Sequence, residues 1–112
     1  MQHNKKVWLQ DIEQAILEIY DFLPVERNFL LFREDIKTKK AIERNIEIIG
    51  EALNRIIKID PDIPISDSRK IVDTRNRIIH GYDSVSADVL WLIINNYLPI
   101  LKKEVDEILK LQ

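Results

Sequence analysis

The stretch "AIERNIEIIGEALNRI" (Ala41–Ile56) has the most regular apolar pattern in the chain. Its apolar residues recur at spacings of three and four within a segment from about Thr38 to Ile59, which predicts an amphipathic helix facing a core. Gly50 interrupts the stripe at a cost of about 1 kcal/mol relative to alanine, so we expect it to let another helix approach closely. The stripe consists of Ile42, Ile46, Ile49, Leu53 and Ile56.

The sequence on both sides of this helix also predicts helices. "VERNFLLF" (Val25–Phe32) is typical of a short additional helical turn, and Pro99 predicts a kink near residue 95 of the last helix. Ser66, Asp67 or Ser68 can cap the third long helix and Gly81 can close it. Because no alternating strand pattern is present, the 112 residues predict one all-α domain, an antiparallel four-helix bundle. The other long helices are predicted at about Lys5–Asp21, Asp67–His80 and Ser84 or Ser86 to Leu111.

Two of these helices have apolar faces that bear on assembly. The first has a single stripe, whereas the last is apolar on more than one side, and an uncovered apolar face of that size predicts a homodimer. Trp8 and Trp91 lie on or beside the stripes and are predicted to be core residues. The first stripe is Trp8, Ile12, Ala15, Ile16, Ile19 and Leu23. The last helix has Val85, Val89, Leu92, Ile93, Tyr97, Ile100 and Leu101 on one face, widened by Leu90, Trp91 and Ile94.

Composition narrows the class of protein. The chain is 46% hydrophobic and 32% charged, contains no cysteine, and has no apolar run near the ~20 residues that cross a bilayer. We therefore expect a soluble cytoplasmic domain without disulfides or thiolate metal sites. The formal net charge of −2 argues against tight, general binding of nucleic acid, although it allows contact with a few phosphates.

The stretch "RNRIIHGYD" (Arg75–Asp83) contains the candidate functional residues. Arg75 occupies the position that should complete the apolar stripe of its helix, and an unpaired arginine is rarely buried. Two interpretations are open. In the first, Arg75 extends to solvent or pairs with a carboxylate of the second long helix, such as Glu47 or Glu51. In the second, it lines a cleft and holds an anion such as a phosphate. The rest of the stripe is Ile71, Val72, Ile78 and Ile79.

His80 and Asn76 are four residues apart, so the amide can orient the imidazole. Histidine side chains titrate near neutral pH, which suits acid–base work at a phosphodiester. On an ideal helix, however, Arg75 and His80 point about 140° apart. They can meet only if the helix unwinds at Gly81 or if two copies of the motif face each other.

The pattern Arg75-Asn76-x-x-x-His80-x-Tyr82 resembles the R-x4-H-x-Y signature of the HEPN superfamily, in its HepT-like branch of small helical toxins. The resemblance extends over roughly residues 5–110. It includes Ala41–Ile56, the Ile63-Pro64 loop and "VLWLIINNYLPIL" (Val89–Leu101).

This resemblance implies a HEPN-like, dimeric bundle whose two motifs share a cleft, and a metal-independent endoribonuclease that needs no cofactor. The RNA 2′-hydroxyl would attack the adjacent 3′ phosphate, with Arg75 holding that phosphate, His80 as general acid or base and Asn76 supporting them. The implied partner is an MNT-type nucleotidyltransferase antitoxin that attaches AMP to the tyrosine of the motif, here Tyr82.

Two other functions are compatible with the sequence. One is a non-catalytic HEPN module that binds a nucleotide or its partner transferase. The other is a plain helical interaction protein in which Arg75 is salt-bridged and His80 caps a helix. The intact set of motif residues favours the ribonuclease, and the acidic net charge favours the other two.

Overall fold

The computed structural model of the protein describes residues 3–80 and 85–111, and every regular element in these two ranges is a helix. The prediction of an all-α fold is confirmed, and each predicted helix is present. Gly81, the predicted end of the third long helix, lies outside the described residues. The helices are α1 (His3–Phe22), α2 (Phe29–Glu34), α3 (Ile36–Ile59), α4 (Ser68–His80), α5 (Ala87–Leu92) and α6 (Leu98–Lys110), with a π-helical turn at Ile93–Tyr97.

Helix α3 is the centre of the fold, because α1 and α4 both pack along it and α2 and α5 contact it more locally. All five members of its predicted apolar stripe are fully buried, and each such side chain stabilises the fold by about 1.5–3 kcal/mol. Helices α1 and α3 run antiparallel. Lys5 at the start of α1 forms an ion pair of 2.8 Å with Asp60 after α3, and Asn45 of α3 reaches the Ala15 carbonyl.

The last three elements form one continuous helix from Ala87 to Lys110. The Leu98 N–H donates to the carbonyl of Ile93, five residues back, and Pro99 follows without an N–H of its own. A π turn thus lies where the sequence predicts a kink, near residue 95.

Two members of the predicted apolar face of this helix, Leu92 and Ile100, are not covered within the chain and are 44% and 47% exposed. Leu92 lies about 200° from both Leu90 and Ile94, which are buried, and therefore points the opposite way. The π turn then adds one residue to the repeat, so Leu98, which is not on the predicted face, is buried together with Leu101, which is.

Side-chain contacts fix the helix starts and the loop before α4. Asp35 caps α3 by accepting from the N–H of Thr38 at 3.1 Å, and Ser86 caps α5. Ser66, one of three predicted caps for α4, instead donates its N–H and hydroxyl to the carboxylate of Glu104 on α6. This contact holds the α3–α4 loop against the last helix.

The molecule measures 42 × 32 × 18 Å, and its thinnest dimension is about two helix diameters. Among the described residues, no helix is long and apolar enough to span a membrane.

Candidate active site

Helix α4 carries the predicted site residues Arg75, Asn76 and His80, and its apolar face packs on the core. Ile71 and Val72 are buried and Ile78 packs partly on the core, as the apolar stripe predicts. Ile79 does not belong to this stripe, because it is 45% exposed. Thr74 is buried in addition, and it satisfies its hydroxyl by donating to the Lys70 carbonyl at 2.9 Å.

Gly50 explains how a residue as large as arginine fits between α3 and α4. A Cβ added at Gly50 would lie 2.8 Å from Cγ of Arg75 and 3.3 Å from the carbonyl oxygen of Ile71. Carbon atoms in contact normally stay about 3.5–4.0 Å apart. The predicted close helix approach is therefore confirmed, and the side chain that it accommodates is that of Arg75.

The guanidinium of Arg75 is held by two neighbours. Its Nη2 forms an ion pair with Oε2 of Glu51, and its Nη1 donates to Oδ1 of Asn76 at 2.7 Å. Glu51 is one of the two partners that the sequence predicts for Arg75. The side chain of Arg75 remains 20% exposed, so its pairing with Glu51 does not remove it from solvent.

One donor of Arg75 is not satisfied within the described part of the chain. Its Nε is buried and has no hydrogen-bond partner there. A buried donor left unpaired costs about 1–3 kcal/mol, and such groups occur in native proteins mainly where function or an ordered water explains them. The position of Arg75 therefore carries a cost in folding free energy, which is unusual for an arginine that only stabilises the fold.

The other residues of the motif differ in their relation to Arg75. Asn76 uses its amide oxygen on Arg75, so the contact that it makes is to the arginine of the motif. His80 is exposed, and α4 remains helical as far as His80. The ideal angle of about 140° between Arg75 and His80 therefore applies to the structure. Tyr82 lies outside the described residues.

A cleft of about 320 Å³ lies beside Arg75, between α1 and α4 and across α3. Besides Arg75 and Glu51, its polar and aromatic lining consists of Trp8 and Asp11 of α1 and of Arg44, Glu47 and Arg55 of α3. Glu51 contacts both Arg75 and, at 3.0 Å, Nε of Arg55.

Sequence reasoning did not identify the cleft residues of α3 as a group. A signal was present, because Arg44, Glu47, Glu51 and Arg55 follow each other at spacings of three and four on the polar side of the stripe. The same residues would also occur on an ordinary solvated helix face, and only the position of α4 makes them part of a cleft.

No group of three or more histidine, cysteine, aspartate or glutamate side chains is arranged to hold a metal ion in residues 3–80 and 85–111.

Comparison with known proteins places these features in a wider context. A family model described as "Ribonuclease HepT-like" matches residues 12–108. The chain is 35% identical to a "Probable ribonuclease HepT" of Thermococcus cleftensis, over 98% of this chain and 100% of the relative. It is also 32% identical to a "putative RNase" of Methanocaldococcus jannaschii, over 94% of this chain and 87% of the relative. No solved structure gives a significant match.

Proposed function

Since the chain belongs to the HepT-like ribonuclease family, we propose that it is a metal-independent endoribonuclease acting on RNA in the cytoplasm. The 2′-hydroxyl of a nucleotide attacks its own 3′ phosphate and loses its proton to a base. The bond from phosphorus to the 5′ oxygen of the next nucleotide breaks, and that oxygen takes a proton. The products are a 2′,3′-cyclic phosphate and a free 5′-hydroxyl.

The observation that carries this proposal is the environment of Arg75. Glu51 and Asn76 orient its guanidinium at the edge of a cleft while the side chain remains partly accessible. An oriented fork of N–H donors can bind a phosphate and stabilise the charge that develops on it. In this proposal His80 is the general acid or base and Asn76 supports Arg75.

The proposal also includes an antiparallel four-helix bundle and a homodimer. Four long helices support the bundle: α1, α3, α4 and the continuous helix from Ala87 to Lys110. The exposure of Leu92 and Ile100 on the last helix supports an apolar contact with a second copy. The angle between Arg75 and His80 on α4 supports a site built from two chains.

The biological role that we propose is that of the toxin in a toxin–antitoxin pair. Its antitoxin would be an MNT-type nucleotidyltransferase that attaches AMP to Tyr82. A bulky anion close to Arg75 and His80 would neutralise the arginine and exclude the RNA phosphate. Expression should then arrest growth, His80→Ala should abolish the arrest, and Tyr82→Phe should still cleave RNA but escape the antitoxin.

The test is an RNA-cleavage assay in the presence of a metal chelator, with analysis of the product ends. His80→Ala should lose about 10²- to 10⁴-fold in rate, the usual contribution of a general acid or base. Arg75→Lys keeps a long stem and the charge but loses the planar fork, so it should fold and still be impaired. Arg77→Ala, at an exposed position of the same helix, is the matched control.

A second candidate is the non-catalytic HEPN module, which the ion pair between Arg75 and Glu51 favours because it already satisfies part of the guanidinium. Equal background cleavage by wild type, His80→Ala and Arg75→Lys would reject the ribonuclease and favour this module.

A further inference from the structure

The cleft beside Arg75 combines an aromatic side chain with several guanidinium groups. Trp8 lines it from α1, Arg44 and Arg55 line it from α3, and Arg75 lines it from α4. Three carboxylates, those of Asp11, Glu47 and Glu51, line the same cleft and balance the arginine charges. We call it the Trp8 cleft. Its volume is about 320 Å³, at the lower end of the range for sites that hold drug-sized molecules. A single nucleotide is a ligand of that size class.

The arginines of the Trp8 cleft are held by weak ion pairs. Arg44 lies 3.5 Å from Glu47, and Arg55 lies 3.0 Å from Glu51. The two arginine side chains are 67% and 55% exposed, and exposed ion pairs of this kind contribute little to stability. Arg55 and Arg44 can therefore turn from their carboxylates to a phosphate, with the gain of charge-assisted hydrogen bonds, while Glu51 keeps its ion pair with Arg75.

Trp8 is half-buried, packing on the core while also lining the cleft. The prediction that Trp8 packs on the core is thus confirmed. The indole also has a part that faces the cleft, which the sequence did not predict. Aromatic rings beside arginines are how proteins bind single-stranded nucleic acid, since a free base can stack on the ring while the arginines contact the backbone. A paired base cannot stack in this way.

We propose that the Trp8 cleft binds one unpaired nucleotide adjacent to the scissile phosphate, with the base against Trp8 and its outer phosphate on Arg55 and Arg44. The proposal rests on the proposed function, because Arg75 defines which phosphate is cleaved. It makes single-stranded RNA the substrate class.

The direct test uses the two tryptophans of the chain as separate probes. In the Trp91→Phe variant Trp8 is the only tryptophan, and titration with a short 2′-O-methyl single-stranded oligonucleotide, which cannot be cleaved, should change its emission. In the Trp8→Phe variant the only tryptophan is Trp91, which packs on Phe29 and Phe32, and its emission should stay constant. The same oligonucleotide in a duplex should leave Trp8 unchanged.

Binding is followed independently by the fluorescence anisotropy of a labelled oligonucleotide. Trp8→Ala should weaken binding by roughly 5- to 150-fold, the loss expected for one stacked base. Trp8→Phe, which retains an aromatic ring and core packing, should lie between Trp8→Ala and wild type. Arg55→Ala, at an exposed position that does not threaten folding, should also weaken binding, whereas Arg77→Ala should not.

The outcomes separate this inference from the proposed function, because the probe needs no catalysis. Binding that changes Trp8 emission, in a protein that cleaves no RNA, would support the cleft and reject the ribonuclease. Binding seen by anisotropy with constant Trp8 emission, a response of Trp91 instead, or equal binding of duplex would overturn the cleft assignment even if cleavage is found.

Discussion

Arg75 contributes both to the packing of α4 on α3 and to the candidate site. Its stem occupies the space above Gly50, and its guanidinium is shared between Glu51 and Asn76. Because the stem is fixed between two helices, the position of the charged end depends on the packing at Gly50 as well as on Glu51 and Asn76.

Replacing Gly50 with alanine tests this packing, because the sign of the change in the free energy of unfolding depends on how closely α4 approaches α3. Alanine normally favours a helix interior by about 1 kcal/mol over glycine. Here its Cβ would collide with the near end of the Arg75 side chain, so we expect Gly50→Ala to lower the free energy of unfolding by about 1–3 kcal/mol. Urea denaturation measures the change, with Lys40→Ala on the exposed face of α3 as control. A more stable Gly50→Ala protein would mean that α4 does not approach α3 this closely.

Substitutions of Glu51 test whether it positions Arg75. Glu51→Gln keeps a side-chain oxygen that can accept from Nη2 of Arg75, whereas Glu51→Ala removes it. We expect kcat close to wild type for Glu51→Gln and a loss of up to about 10²-fold for Glu51→Ala, since misplacement of a binding group has effects of that size.

The steady-state kinetics of these variants should be compared with those of Glu47→Ala, which alters the same cleft but not the contact of Arg75. Equal losses of kcat in Glu51→Gln and Glu51→Ala would show that catalysis depends on the negative charge of Glu51. They would contradict a role in which its side-chain oxygen only positions Arg75.

At the scale of the helices, the packing of α1 on α3 includes one buried polar contact. Asn45 is 5% exposed, and its Nδ2 donates to the Ala15 carbonyl at 3.1 Å and to Oε1 of Glu18 at 3.0 Å. A buried amide must be satisfied, so this contact fixes the register of the two helices as well as adding stability.

The Asn45→Ala variant should therefore be less stable than wild type by about 1–3 kcal/mol, because the hydrogen bonds to the Ala15 carbonyl and to Glu18, at about 0.5–1.5 kcal/mol each, are both lost. Thermal or urea unfolding at neutral pH measures this difference. Gln10→Ala, at an exposed position of α1, should differ little from wild type. A loss no larger than that of the control would show that the contact is not maintained in solution.

The same contact predicts a dependence on pH. Two hydrogen bonds lower the pKa of Glu18 below its ordinary value of 4.5. The larger effect comes from Asn45 and the smaller from Gln14. A lowered pKa in the folded state stabilises the protein above the ordinary pKa, and this contribution is lost as the pH falls through the folded value. The stability difference between wild type and Asn45→Ala should therefore narrow below pH 4.5. A difference that is constant from pH 7 to acid would contradict the role of the Glu18 charge.

At the scale of the whole molecule, the arrangement of Arg75 and His80 on α4 predicts a site shared between two chains. If each site takes Arg75 from one chain and His80 from the other, mixing inactive Arg75→Lys with inactive His80→Ala should restore partial activity. In such a mixed dimer one of the two sites retains both residues. The rate of RNA cleavage after joint refolding or co-expression measures the effect. Mixtures that stay inactive, in preparations shown to contain mixed dimers, would place both residues of a site on one chain.

Local patterns were sufficient to predict much of this protein. The helices, the buried stripe of α3 and the close approach at Gly50 follow from spacing and residue type, which act over one or two helical turns. The motif from Arg75 to Tyr82 and the family resemblance can likewise be read directly from the chain.

Three features depended on the tertiary structure. The sequence left Glu47 and Glu51 equally eligible as partners of Arg75, and it did not predict the π turn that moved burial to Leu98. The Trp8 cleft was also unforeseen. Each depends on how helices distant in sequence are rotated and shifted against one another. That choice is made by the sum of many small packing contributions across the helix interfaces, and no local pattern contains it.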